Sequence, residues 1–194
     1  PFFWRFAMMS LLAHSVSSAL TTLWTGPWLI QVNGFAADRA AQVLLLINLS
    51  ALIGFLGVGA VQPWIRARGW STQVICACST AAAIMVQLLL ALVESPAIWP
   101  VWLLYALIAT SFSMVQPYVG MAFPASLSGR ALTGYNLLVF SGTFGWQWLY
   151  GVIIDVYRSL GHTDAGAYRR TMATGIAVQV IALIVFLVWR PTPP

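Results

Sequence analysis

Charge-free runs, each long enough to cross a lipid bilayer, alternate along this chain with short clusters of charged and turn-forming residues. The charged residues bracket six such intervals: Arg5 to Asp38, Arg39 to Arg66, Arg68 to Glu94, Glu94 to Arg130, Arg130 to Asp155 and Arg170 to Arg190. Each interval holds one apolar helix of about 20 residues, which at about 1.5 Å rise per residue spans a hydrocarbon layer of about 30 Å. None comfortably holds two helices and a turn. The pattern therefore predicts a single bundle of helices over 4–27, 40–61, 71–93, 98–121, 132–155 and 169–190. Period-two alternation is absent, which argues against a β-barrel.

Composition agrees with that pattern. The chain of 194 residues is 60% hydrophobic and 7% charged, with a mean hydropathy of +0.86. No soluble domain covers so much apolar surface with so few charges, so the expected partner is the lipid bilayer itself. The positive charge rests on arginines alone, scattered rather than clustered, which reads them as loop and interface anchors, and no basic run suggests nucleic acid. Cys76 and Cys78, two apart on one predicted helix, face different ways and make a poor metal site; nothing in the pattern calls for a cofactor. An even number of spans puts both ends on one side. That side receives Arg5, Arg66, Arg68, Arg130 and Arg190, and the other receives Arg39, Arg158, Arg169 and Arg170. Five against four favours a cytoplasmic location for the ends. The chain begins at Pro1 without an initiator Met or a secretory signal, as expected for part of a longer protein.

Polar residues inside the spans carry the functional signal. In the first helix Ser10, His14, Ser17, Ser18, Thr21 and Thr25 recur at spacings of three and four and form one stripe. His14 falls ~15 Å in from Arg5 by helical rise, near the bilayer midplane, where an ionisable group is costly unless a partner or wet cavity meets it. The hydroxyls of that stripe have the plainer alternative of bonding back to the preceding turn. Gly26-Pro27 is expected to break or kink this helix, leaving Trp28, Gln31 and Asn33 in an interfacial segment. Ser50, Gly54 and Gly57 mark a helix-contact face on the second helix. The Ala-rich third helix, with Gln87 as its one long polar residue, reads as a lipid-facing support. The fourth combines an aromatic belt (Trp99, Trp102, Tyr105) with Thr110, Ser113 and Gln116 and a bend at Pro117. The fifth places Asn136, Phe140, Thr143 and Gln147 on one face.

The stretch Phe123-Pro124 … Gly129-Arg130-Ala131, followed by a helix with Asn136 near its start, Gly142 and Gly145 in its middle and Gly151-x-x-x-Asp155 at its end, resembles helix eleven of a major facilitator superfamily transporter. The stretch Gly59 to Gly69, with Arg66 and Arg68, resembles that superfamily's basic loop. The acid usual in that motif is replaced by Gln62 and Pro63, so the salt bridge tied to it does not carry over. The resemblance spans the chain in topology and residues 59–69 and 123–155 in motif. It implies an all-α membrane protein, the C-terminal six-helix bundle of a twelve-helix transporter, with both ends cytoplasmic in a bacterial inner membrane. It implies as partners an N-terminal six-helix half, a small-molecule substrate and a coupling proton. The first and fourth helices would then line the cavity, with His14, Ser18, Thr21, Thr110, Ser113, Gln116, Asn136, Thr143 and Gln147 as cavity candidates. Arg66, Arg68 and Arg130 are the gating candidates of the cytoplasmic turns.

Two other function classes fit six spans. A stand-alone module forming a homo-oligomeric channel or scaffold needs self-complementary polar faces, and none is evident. An intramembrane serine protease needs a G-x-S nucleophile with a His on a partner helix; no span contains G-x-S, and His162 lies in a loop. No catalytic residue is assigned.

Overall fold

The computed structural model describes residues 2–189, the side chain of Arg66 excepted. Six helices make up the bundle: α1 (Phe2–Gln31), α2 (Ala37–Ala67), α3 (Thr72–Leu92), α4 (Pro96–Met121), α5 (Ala125–Ser159) and α6 (Asp164–Val188). All six are long and apolar enough to cross a membrane, and no strand occurs among the described residues. This is a multi-pass membrane protein.

Turn chemistry sets the ends. Ser71, Ser95 and Thr163 precede α3, α4 and α6, and each side-chain oxygen accepts a backbone N–H of the first turn. Gly34, Gly69 and Gly161 end α1, α2 and α5 with φ of +69°, +71° and +85°, a conformation that only glycine adopts without strain.

The helices run past several expected limits. α2 continues through Pro63 to Ala67, so most of the stretch expected as a loop over 59–69 is helical. Gly129 and Arg130, expected in a turn, lie inside α5, which starts at Ala125 directly after Pro124. The sixth helix begins at Asp164, and Arg190, its expected end, lies outside the described residues.

Gly26-Pro27 does not break α1 either. The helix widens instead: over Ser10–His14 and Leu20–Trp24 the backbone is π-helical, closed by Ser15 N–H to Ser10 O and Thr25 N–H to Leu20 O. The second wide turn lies just before Pro27 and contains Leu23, the carbonyl its ring would otherwise strike. In α4 the backbone tightens to 3₁₀ over Thr110–Met114, ahead of Pro117.

Helix packing makes α1 the centre. It packs along its length against α5 and α6, against α2 at its Gln31 end and against α4 at its Phe2 end; α3 joins α6 and α4, and α2 leans on α4. α1 is also the most buried of the six spans. Lipid tails are as apolar as leucine, so close backbone approach and polar bridges, rather than apolar burial, hold such helices together. Both occur here. A Cβ on Gly142 of α5 would meet Ser15 Oγ of α1 at 2.5 Å, and one on Gly54 of α2 would meet Thr110 Oγ1 of α4 at 2.6 Å. Ser50 Oγ donates to Leu103 O at 2.8 Å, whereas Gly57 of the same expected contact face meets nothing within 4 Å.

Three expectations about individual side chains are corrected. Gln87 does not sit on a lipid-facing support: it is fully buried, and its amide exchanges two hydrogen bonds, of 3.0 and 2.9 Å, with the equally buried Gln179 of α6. In hydrocarbon an amide without a partner is costly, so the pair locks α3 onto α6. Trp102 and Tyr105 are not a belt at the interface; both are fully buried and stack edge-on with each other, and Trp102 in turn with Trp28. Arg5 is no surface anchor. It is 5% exposed and donates from Nε and Nη2 to Phe186 O and from Nη1 to Gln73 Oε1, with its guanidinium 4.2 Å from the Phe186 ring centre. A cation on the last carbonyls of α6 meets the negative end of the helix dipole. Arg169 does the same for α3 at the opposite end, donating to Ala91 O and Val93 O beside Glu94.

Candidate functional site

The polar stripe of α1 runs between two adjoining hollows. The first, about 490 Å³, lies between α1, α2 and α4 and is lined by His14, Ser18, Thr21 and Thr110 together with Asn48, Ile47 and Phe55. The second, about 370 Å³, lies between α1, α4 and α5 and is lined by His14, Ser18, Ser113, Gln116, Asn136, Thr143 and Gln147, with Phe112, Phe140 and Phe144. The two meet along His14, Ser18 and Thr22. All nine cavity candidates of the sequence analysis thus border one hollow or the other, from helices far apart in the chain.

The widened turns of α1 sort its hydroxyls. An extra residue per turn rotates every later position about the helix axis, so the stripe read at spacings of three and four divides. Ser10 turns to α5 and shares a hydrogen bond with Tyr135 Oη, and Thr25 is buried and bonds back to Leu20 O at 2.8 Å. Ser17 reaches Gln179 Oε1 at 3.4 Å in the core, although its edge still borders the first hollow. His14, Ser18, Thr21 and Thr22 stay on the open side.

His14 sits at the junction. Its ring stacks on Phe112, with centroids 4.8 Å apart and planes 7° from parallel, and its Nδ1 is buried with no hydrogen-bond partner. The stacking partner is therefore an aromatic ring that sequence reasoning missed, and none of Thr110, Ser113 and Asn136 hydrogen-bonds the imidazole. Phe112 lies within the run of hydroxyl residues on α4, and an apolar position there gives no sign of facing a cavity.

The hollows differ in how far their polar groups are already satisfied. In the first, Thr21 Oγ1 donates to Ser17 O at 3.1 Å, Thr110 Oγ1 to Leu107 O at 2.7 Å and Asn48 Nδ2 to Leu44 O at 2.8 Å. In the second, Thr143 Oγ1 likewise bonds back, to Val139 O at 2.9 Å, and Gln147 Nε2 crosses to Thr22 Oγ1 at 3.0 Å. Ser113, Gln116 and Asn136 make no side-chain hydrogen bond to another described residue. Neither hollow is lined by an Asp, Glu, Lys or Arg.

Of the arginines proposed for gating, Arg68 and Arg130 stand away from both hollows. Arg68 lies 3.8 Å from the ring centre of Trp64 in an exposed turn, and Arg130 is exposed on the first turns of α5. The side chain of Arg66 lies outside the described residues. Among the described residues no three His, Cys, Asp or Glu side chains converge as metal ligands. Neither the known family profiles nor the curated proteins contain a match to this chain.

Proposed function

We propose that this chain is the C-terminal six-helix half of a secondary active transporter of the major facilitator type, moving a small solute by alternating access. The observation that carries the reading is the pair of hollows around His14, which gathers nine uncommitted or weakly committed polar positions from α1, α4 and α5 beside the most buried helix of the bundle. Polar groups at this depth are expensive unless they serve a ligand, water or a partner helix. Both hollows are partly open, and an N-terminal six-helix half facing them would complete the site near the bilayer midplane. The two halves would rock about that site, with the chain ends in the cytoplasm of a bacterial cell.

The test compares the whole open reading frame carrying this chain with residues 1–194 alone, each reconstituted in vesicles and offered a panel of radiolabelled solutes. The whole protein should take up at least one solute saturably, and the six-helix chain should take up none. Saturable, protein-dependent flux through the six-helix chain alone would overturn the reading in favour of a self-assembling channel.

A further inference from the structure

We infer that the hollow between α1, α4 and α5 is the one that holds the solute, and that it selects an uncharged, flat ring bearing both hydrogen-bond donors and acceptors. This rests on the reading of the chain as half of a transporter, and adds to it the class of solute and the side chains that choose it.

Unsatisfied hydrogen-bonding capacity distinguishes the two hollows. The larger one offers mostly hydroxyls and one amide that already bond their own helices. A ligand there meets hydroxyl hydrogens already committed and a single amide with one N–H and its carbonyl oxygen left, less donor capacity than two unbonded carboxamides hold. The smaller one offers Asn136 and Gln116, two carboxamides without a side-chain bond to another described residue. A carboxamide presents two donors and two acceptor lone pairs in one plane, which matches the alternating donors and acceptors on a heterocycle or an aryl amide.

Ring recognition comes from the same walls. Phe112 already stacks on His14, and Phe140 and Phe144 border the same space, 63% and 72% exposed. Offset or edge-on contact with such rings favours a flat unsaturated solute over a flexible aliphatic one of equal polarity. Charge is disfavoured because no Asp, Glu, Lys or Arg lines the hollow, and an ion buried there without a counter-charge would be held at high cost. At about 370 Å³ the space suits one small ring with its substituents.

Nicotinamide and nicotinate share a ring and differ in the charge of one substituent; uracil supplies a second neutral ring and mannitol a neutral aliphatic polyol. In the whole protein, with Cys76 and Cys78 replaced by alanine, single cysteines at Ser113 and Asn48 report on the smaller and larger hollows through their rate of maleimide labelling. A cysteine at Thr143 is a second reporter should the first variant fail to fold. Nicotinamide or uracil should slow labelling at residue 113 or 143 severalfold and leave residue 48 unchanged. In the otherwise unaltered protein, Asn136→Ala should weaken saturable uptake or binding of the same solute roughly five- to tenfold, as expected for the loss of about one hydrogen bond. Protection by nicotinate or mannitol, with none by the neutral rings, overturns the solute class and leaves transport standing. Protection at residue 48 alone, or uptake without protection at any reporter, overturns the choice of hollow. No protection and no saturable uptake of any panel member overturns the transport reading itself.

Discussion

His14 presents one ring face to Phe112 and leaves Nδ1 covered and unbonded, while the rest of the side chain borders both hollows. Imidazole donates and accepts at once and is the side chain whose charge changes nearest neutral pH. In the whole transporter His14→Gln should keep expression and folding while changing solute affinity or the pH profile of uptake. His14→Leu with unaltered kinetics and an unchanged pH profile would reduce the residue to packing. Gln87 and Gln179 give a second test at this scale. Removing one amide strands the other in an apolar interior, so Gln87→Leu should lower the thermal stability of the purified protein, by about 1 kcal/mol. Replacing both amides by leucine should cost less than the sum of the single changes. Of these residues His14 was legible in the sequence, because an ionisable group amid a long apolar run stands out. The amide pair was not, since a lone Gln in an Ala-rich helix looks the same whether its partner is another span or nothing.

Each helix meets its neighbours through a few positions where side chains are missing. A Cβ at Gly142 would strike Ser15 and come within 2.8 Å of Leu11 Cδ1, whereas one at Gly145 meets nothing within 4 Å. Gly142→Val should push α5 from α1 and lower stability and uptake together; Gly145→Ala should be near neutral in a thermal unfolding assay. A marked loss at Gly145 with none at Gly142 would mean that α5 is turned differently about its axis. Both glycines belong to the same sequence motif, and only the packing tells them apart. Six spans were readable because charges and turn residues punctuate the chain. Helix ends were read too short, because a charge-free interval measures hydrocarbon and says nothing about a helix that continues into water, as α2 and α5 do. The belt assigned to Trp102 and Tyr105 failed for a related reason: an aromatic near a span's end fits the interface and the core equally well, and here the bundle closes over both.

For the molecule as a whole, the contacts of Arg5 with Phe186 and Gln73 gather one end of the bundle, and those of Arg169 with α3 and Arg158 with Asp164 gather the other. Single cysteines at Gln62, Ser95 and Thr163, in a background lacking Cys76 and Cys78, should react with an impermeant reagent such that residue 62 is reached from one face and residues 95 and 163 from the other. Residues 62 and 95 reached from the same face would end the alternating six-span arrangement. The bond from Arg5 to the Phe186 carbonyl also has a consequence for how the protein is made. Its two ends are 181 residues apart, so on the ribosome the first helix is finished long before the last supplies its acceptor. During synthesis Gln73 of α3 can take one N–H of this cation, but the acceptor for its Nε and Nη2 arrives only with α6. Biogenesis should therefore finish in one late, cooperative step, with nascent chains stopped at Leu160 still open to protease and full-length chains protected.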